Sequence, residues 1–286
     1  MIKINNLSKT YGNKLVLDNI NLEITEGKIY GLIGRNGAGK TTLMKILSDQ
    51  IINYQGEIYY KDSNILLSNN LKKNLIYIGE DFLTYNLKEK KLIKTVKYIK
   101  ELYPKFNQER FDELSALFKI DLLAKYRKLS YGNQSLFRNI VALSLKAQFL
   151  LLDEPSTGLD EINRDLFYKK LIEYQEIDNS TIIISSHILS DIEKLVTNLI
   201  IINDGKIIVN DPIDELLEKA LLITTNEENL SFFESKNIIK KSNIGKQIIL
   251  YIYDNFTDDE LRKIREVAEI NRLNLKELFL ALTKED

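Results

Sequence analysis

The sequence lacks several residue types from which functional sites are commonly built. Its 286 residues include no cysteine and a single histidine. Without cysteine there are no disulfides, no thiolate chemistry and no cysteine-based metal site, which fits a reducing compartment. Long apolar runs are also missing, since residues 149–152 and 181–184 are far shorter than the ~18 apolar residues of a membrane helix. We therefore expect a chain that does not span a membrane by itself, although a partner could hold it there.

An excess of positive charge is also missing. Lysine and arginine together number 40 against 41 aspartates and glutamates, which gives a formal net charge of -1. This balance argues against a nucleic-acid partner, because such partners select strongly basic surfaces. Residues 1–12 have no long apolar core, so we expect no secretory signal. The length suits one large domain, or one domain with a small appendage.

Short apolar runs alternate with helical patterns along most of the chain. The runs that predict buried strands are residues 28–33, 75–78, 149–152, 181–184 and 199–202. Because helix-like segments separate them, they indicate a parallel sheet covered by helices. Residues 2–7 and 15–24 predict a β-rich beginning, and apolar spacing over 87–146 predicts a helical insertion.

The last part of the chain, residues 220–286, has a different pattern. It predicts a small α+β appendage with strands near 221–224 and 246–253 and helices near 258–270 and 275–282.

Residues 34–41 match the phosphate-loop pattern G-x-x-x-x-G-K-[ST] and lie between a predicted strand and a predicted helix. Glycines there let backbone amides surround phosphate oxygens, and a helix N-terminus adds partial positive charge. Lys40 would reach the β- and γ-phosphates, and the Thr41 hydroxyl would bind magnesium. The alternative is a glycine-rich turn with a surface lysine. The predicted nucleotide-binding residues are Gly34, Arg35, Asn36, Gly37, Ala38, Gly39, Lys40, Thr41 and Thr42.

Two acids, Asp153 and Glu154, end the apolar run at 149–152. The strand period of two points their side chains in different directions. Asp153 is therefore suited to hold magnesium, which prefers hard oxygen ligands, and Glu154 to orient and deprotonate an attacking water. Taken alone, the pair could be an ordinary acidic strand end. The phosphate loop favours the catalytic interpretation.

Over residues 1–219 the chain resembles the ATP-binding subunits of ABC transporters. Four further features match that family in the expected order: Tyr11 as the aromatic that stacks on adenine, residues 129–133 (LSYGN) as the signature LSGGQ, residues 156–160 (STGLD) as the loop at the dimer interface, and His187 after Ser185-Ser186 as the switch histidine.

The resemblance implies an α/β P-loop NTPase of the ABC type, with a RecA-like core, an antiparallel β subdomain and a helical subdomain at about 87–146. Residues 220–286 would form a small accessory domain. ATP and Mg2+ would be bound, and His187 would contact the γ-phosphate and help position Glu154. Without the resemblance, His187 could simply cap the next helix.

The resemblance also implies partners. Two subunits, identical or different, would pair head-to-tail, with Ser130 and Gly132 of one covering the ATP held by the other. The pair would drive an integral membrane subunit from the cytoplasmic, inner face of the cell membrane.

The sequence departs from the family pattern in two places. Tyr131 and Asn133 replace a glycine and the glutamine of the signature, whereas Ser130 and Gly132 remain. We expect activity to be retained, with slow turnover left open. The loop that usually carries a magnesium-coordinating glutamine has Glu80 as its candidate, either as a water-mediated magnesium contact or as a contact to the membrane subunit.

A single cassette with a helix-like ending at 274–283 most resembles bacterial exporter subunits of the antibiotic-resistance and bacteriocin-immunity type. We therefore predict ATP hydrolysis that powers export of a drug, antimicrobial peptide or similar molecule. Two alternatives stay open: a soluble ABC-type ATPase in translation, repair or assembly, and an ATP-binding regulatory protein with little turnover.

Overall fold

The computed structural model describes residues 1–61, 63–64, 74–83 and 85–283. In chain order its strands are β1 (Ile2–Tyr11), β2 (Lys14–Ile24), β3 (Ile29–Ile33), β4 (Gln55–Tyr60), β5 (Ser63–Asn64), β6 (Leu75–Ile78), β7 (Phe149–Asp153), β8 (Thr181–Ser185), β9 (Asn198–Asn203), β10 (Lys206–Pro212), β11 (Ala220–Thr225), β12 (Ile238–Ile244), β13 (Gln247–Tyr253) and β14 (Glu269–Arg272).

Helices connect and cover these strands. They are α1 (Lys40–Leu47), α2 (Tyr85–Lys88), α3 (Leu92–Leu102), α4 (Gln108–Leu117), α5 (Tyr131–Ser144), α6 (Glu161–Asp178), α7 (Leu189–Leu195), α8 (Ile213–Glu218), α9 (Asp258–Val267) and α10 (Leu275–Thr283), with 3-10 segments at Tyr126–Lys128 and Glu227–Phe233. None of the helices in this part of the chain is long and apolar enough to cross a membrane.

The central sheet has the strand order β10-β9-β3-β8-β7-β6. Strands β9, β3, β8, β7 and β6 run parallel to one another, and the edge strand β10 is antiparallel to β9. Residues of β3, β6 and β8 are buried throughout, as expected for parallel strands covered on both faces. The predicted parallel, covered sheet is confirmed.

The two faces of the central sheet belong to two different cores. In β7, Leu150 and Leu152 pack into the larger core with the helices of residues 85–144. Phe149 and Leu151 pack into a second core with α1 and the antiparallel sheet β2-β1-β4-β5. Because side chains alternate along a strand, Asp153 faces the same side as Phe149 and Leu151, which is the side of α1. The predicted helical insertion at 87–146 is confirmed by α3, α4 and α5.

The C-terminal region forms a third, antiparallel sheet in the order β12-β13-β11-β14. One face packs against α9 around Phe233 and Ile264. The other face meets the larger core through Tyr251 and Tyr253, and Leu278 of α10 lies in that core. The strand order, with α9 between β13 and β14, follows the split arrangement of ferredoxin-like folds, with a 3-10 segment in place of the first helix.

One expectation for this region was wrong, and one strand was missed. The helix predicted over 258–270 ends at Val267, because Ala268 is extended and β14 pairs with β11, placing Ile270 opposite Ile223. Strand β12 was not predicted, since its polar middle shows no alternation of apolar and polar residues.

Candidate functional site

The phosphate loop, residues 34–41, leaves the buried strand β3 and enters α1. Gly39 caps the helix with φ +111°, and a Cβ there would lie 2.6 Å from Leu17 Cδ2. A Cβ on Gly34 would lie 2.4 Å from the Ile202 carbonyl oxygen, so this position also requires glycine. The first turn of α1 carries no acidic residue and no side-chain cap. Its free N–H groups therefore form a site suited to an anion.

Lys40 lies over this loop. Its ammonium donates hydrogen bonds to the carbonyl oxygens of Gly34 at 2.7 Å and Arg35 at 3.3 Å. Burial lowers the pKa of Lys40, and the nearby Glu154 and Asp153 carboxylates oppose that shift. The loop thus holds a largely buried cation that a phosphate group would neutralise.

Asp153 accepts three hydroxyl hydrogen bonds. Thr41 and Tyr77 donate to Oδ2 at 2.7 and 2.9 Å, and Ser185 donates to Oδ1 at 2.5 Å. Burial, followed by the Asp153 charge, raises the pKa of Tyr77 well above that of an ordinary tyrosine, so the phenol remains a donor. The carboxylate is therefore fixed at the start of α1, where Thr41 lies.

Sequence reasoning missed Tyr77 and Ser185. The register pairs Tyr77 with Leu151 and Ser185 with Asp153 across three neighbouring strands. Polar residues on the same face of adjacent strands were the signal, but it becomes visible only once the strand order is known.

Glu154 follows with a left-handed backbone, φ +52°. Its N–H donates to Ser185 Oγ at 2.9 Å, and its Oε2 lies 2.6 Å from His187 Nδ1. Because an ionised carboxylate can only accept, Nδ1 carries the proton in this pair, and Nε2 is the other available ring nitrogen. Such a backbone conformation is uncommon for a residue other than glycine.

His187 does not cap the next helix. Helix α7 begins after Ile188 without a side-chain cap, and the Ile188 N–H donates to Ser186 Oγ at 3.0 Å. The alternative interpretation of the single histidine as a helix cap is wrong.

The oxygens around α1 fit a magnesium ion. Thr41 and Asp153 supply a hydroxyl and a carboxylate, the hard ligands that Mg2+ takes in small number together with water and substrate phosphates. Within the described residues there is no group of three or more His, Cys, Asp or Glu side chains that could hold a metal.

The remaining predicted site residues lie apart from this cluster. Tyr11, 47% exposed at the end of β1, has the Lys9 ammonium 4.7 Å from its ring centroid. Ser130 caps its own helix, accepting from the Asn133 N–H at 3.2 Å, and Glu80 accepts a hydrogen bond from the Tyr131 hydroxyl. No hydrogen bond or ion pair among the described residues joins Tyr11, Glu80, Ser130 or Gly132 to the phosphate loop.

The other predicted nucleotide-binding residues around the phosphate loop differ in exposure. Arg35, Asn36 and Gly37 are exposed at the tip of the phosphate loop, Ala38 is buried, and Thr42 is half-buried in the first turn of α1.

Gly132 packs against the segment 156–160, since a Cβ there would lie 2.4 Å from the Gly158 carbonyl oxygen.

Comparisons with known proteins agree with this geometry. A profile of the ABC transporter family matches residues 17–157. The chain is 35% identical to the lantibiotic transport ATP-binding protein SrtF of Streptococcus pyogenes, over 75% of this chain and 92% of that protein. It is 32% identical to the bacitracin transport ATP-binding protein BcrA of Bacillus licheniformis, over 96% of this chain and 88% of that protein.

The fold is also similar to that of a solved structure, the dimeric post-hydrolysis state of the ATP-binding cassette MJ0796 bound to ADP and Pi. The TM-score is 0.65 at 22% identity, covering 74% of this chain and 99% of that one.

The chain belongs to the ATP-binding subunits of ABC transporters. It is an ATPase of the P-loop type, and subunits of this family dimerise and act with membrane subunits.

Proposed function

We propose that this subunit powers export of an antimicrobial peptide, drug or similar molecule through a separate membrane subunit. The observation that carries the ATPase part is the linked cluster in which Thr41 contacts Asp153 and Glu154 contacts His187. The class of transported molecule is proposed from the likeness to SrtF and BcrA, whose names describe lantibiotic and bacitracin transport. Export is proposed from the resemblance of the sequence to exporter subunits.

In this proposal the phosphate loop binds the triphosphate of ATP through its amides and Lys40. Glu154 orients water for in-line attack on the γ-phosphate and accepts its proton. His187 holds the Glu154 carboxylate through Nδ1 and turns Nε2 toward the γ-phosphate. A donor there requires a proton on Nε2 as well, so the imidazolium is the form that bridges Glu154 and phosphate.

Magnesium would be held by Thr41 and Asp153, where it would offset negative charge on the β- and γ-phosphates. Tyr77 and Ser185 orient the Asp153 carboxylate toward that position. Glu80 remains a candidate for a water-mediated contact to the same ion.

The second half of each ATP site would come from a partner subunit. Ser130 and the Gly132 amide, at the N-terminus of α5, would cover the γ-phosphate held by the other chain. Tyr11 would stack on adenine with its exposed ring. The partner is either a second copy of this chain or a related subunit.

We further propose that residues 1–219 form the ATPase domain and 220–286 an accessory domain, and that the pair works on the cytoplasmic face of the membrane. The separate antiparallel sheet and the small core around Phe233 support this division.

The test is to purify the Glu154→Gln chain from solubilised host membranes with Mg-ATP and identify what co-purifies. The amide cannot accept the water proton, so hydrolysis should fall about 10²- to 10⁴-fold and the closed complex should persist. We expect a polytopic membrane protein in stoichiometric amount, whereas Glu266→Gln, an exposed change on α9, should hydrolyse ATP normally. Recovery of a ribosome or a repair protein instead would contradict the transport role.

Export is tested by reconstituting the complex that contains the unsubstituted chain in vesicles with the ATPase subunit facing outward. Uptake of a labelled peptide antibiotic into the vesicles on addition of ATP is expected. ATP-driven release of preloaded compound would show import instead.

A low-turnover regulatory role is the second candidate, because Tyr131 and Asn133 alter the signature. Steady-state ATPase activity that does not differ from that of the Glu154→Gln variant would favour this role over powered transport.

A further inference from the structure

Tyr131, which stands where the family signature has a glycine, contacts two other loops of its own chain. Its hydroxyl donates a hydrogen bond to Glu80 Oε1. Its ring lies against Gly158, since a Cβ on Gly158 would be 2.4 Å from Tyr131 Cδ1. The tyrosine is 46% exposed, so it is fixed by these contacts rather than by burial.

Glu80 belongs to a short turn, residues 79–82, which follows β6 and is closed by the Phe82 N–H donating to the Gly79 carbonyl at 3.1 Å. Two contacts connect this Glu80 turn with Asp153 and with α1 of the same chain. Before it, the Tyr77 hydroxyl donates to Asp153. Within it, Asp81 pairs with Lys45 of α1 at 2.5 Å.

The contacts therefore form a continuous path. It starts at α1 and Asp153, passes through the Glu80 turn and reaches Tyr131 at the start of α5. The first part of the path borders the phosphate loop, which in the proposed function binds ATP. Its end is the signature, which in the proposed pairing covers the ATP held by the partner.

We propose that Tyr131 is a positioning residue that couples the two ATP sites of the dimer, by tying the signature to the Glu80 turn. This inference rests on the proposed pairing of subunits. When ATP orders α1 and the Glu80 turn, the hydrogen bond holds the signature in place for the partner's γ-phosphate. Coupling of this kind appears as a change in the affinity of one site when the other is occupied, and it needs no new contact with nucleotide.

The test uses the full-length chain with Glu154→Gln, so that ATP is retained. The ATP concentration at half-maximal dimerisation is measured by sedimentation velocity with magnesium present. ATP affinity of the monomer is measured with a fluorescent analogue at protein concentrations too low for pairing.

We expect Tyr131→Phe to raise the half-maximal ATP concentration about fivefold, the lower end of typical coupling, with monomer affinity unchanged. The phenylalanine keeps the ring against Gly158 and removes only the hydroxyl. Glu80→Ala should produce at least this rise, because it removes the same hydrogen bond and also a candidate magnesium contact, and the double variant should show no more than Glu80→Ala alone. Tyr98→Phe, an exposed tyrosine on α3, is the matched control and should have no effect.

Three results would overturn the coupling: an unchanged or lower half-maximal concentration in Tyr131→Phe, an equal effect of Tyr98→Phe, or no effect of Glu80→Ala. The last would mean that Tyr131 acts directly on the partner. If the Glu154→Gln chain does not dimerise at any ATP concentration, the proposed pairing itself fails, and the coupling with it.

Discussion

The cluster around Asp153 and Glu154 and the signature segment, residues 129–133, differ in the contacts that their side chains make within one chain. Asp153 accepts hydroxyl hydrogen bonds from Thr41, Tyr77 and Ser185, and Glu154 contacts His187. The hydroxyl of Ser130 in the signature, by contrast, only caps its own helix. One half of the site is thus assembled by the fold, and the other half is presented at a helix N-terminus for a ligand that another chain would hold.

The difference follows from how each region is placed. The cluster lies at the carboxyl ends of parallel strands, where polar groups from distant parts of the chain meet at one edge of a sheet. The signature begins a helix that packs on the opposite core, with Phe137 and Ile140 buried there. We therefore expect single changes in the cluster to slow the hydrolysis step itself. Changes in the signature should instead lower ATPase activity by weakening the interaction between paired subunits.

Apart from loss of the Glu154 carboxylate itself, the largest effect is expected from His187→Ala, which removes the imidazole that contacts that carboxylate. ATP binding should remain, because the phosphate loop is untouched, while kcat falls about 10²-fold, the lower range for lost acid–base assistance. ATP affinity and steady-state turnover are measured in parallel. Lys194→Ala, an exposed change on α7, serves as the control. Near-normal turnover in His187→Ala would show that Glu154 needs no such support.

A smaller effect should come from the signature, where Ser130→Ala and Ser130→Asp separate its two roles. Alanine removes the helix cap and should cost about 1 kcal/mol of stability in thermal unfolding. Aspartate keeps a capping oxygen but turns a negative charge toward the partner's γ-phosphate. We expect Ser130→Asp to unfold at the parental temperature and to lose about tenfold in ATPase rate, equivalent to about 1.4 kcal/mol. Parental activity in that variant would mean that the signature does not face a phosphate.

Much of the cluster could be predicted because short, continuous stretches of the sequence determine its phosphate loop and its strands. The phosphate loop depends on glycines whose backbone geometry no other residue adopts easily, and the parallel strands are continuous apolar runs. The placement of Asp153 followed from the same alternation. The single histidine was assigned to the site by resemblance, and the structure places it against Glu154.

The missed features depend on contacts between distant segments. The first two residues of β14, Glu269 and Ile270, were predicted as the end of a helix, and the pairing of β14 with β11 shows that the segment is extended. Ser185 and Tyr77 looked like ordinary strand residues, since nothing near them in sequence shows that Asp153 lies on the adjacent strand. In the same way, no local pattern around Tyr131 predicts its hydrogen bond to Glu80.

Tyr77→Phe tests the missed part of the cluster and should have the smallest effect. It removes one of three hydroxyls that orient Asp153, while Ser185 and Thr41 still hold the carboxylate. Loss of a partner that orients a metal ligand weakens metal affinity, and one net hydrogen bond of about 1 kcal/mol corresponds to about fivefold. We therefore expect the magnesium concentration for half-maximal ATPase activity to rise about fivefold, with kcat at saturating magnesium retained. Tyr103→Phe, half-buried outside the cluster, controls for loss of a phenol. A fall in kcat without a change in magnesium dependence would mean that Tyr77 supports the strand edge and not the carboxylate. That result would also weaken the contrast between the cluster and the signature, because the carboxylate would then be held by Thr41 and Ser185 alone.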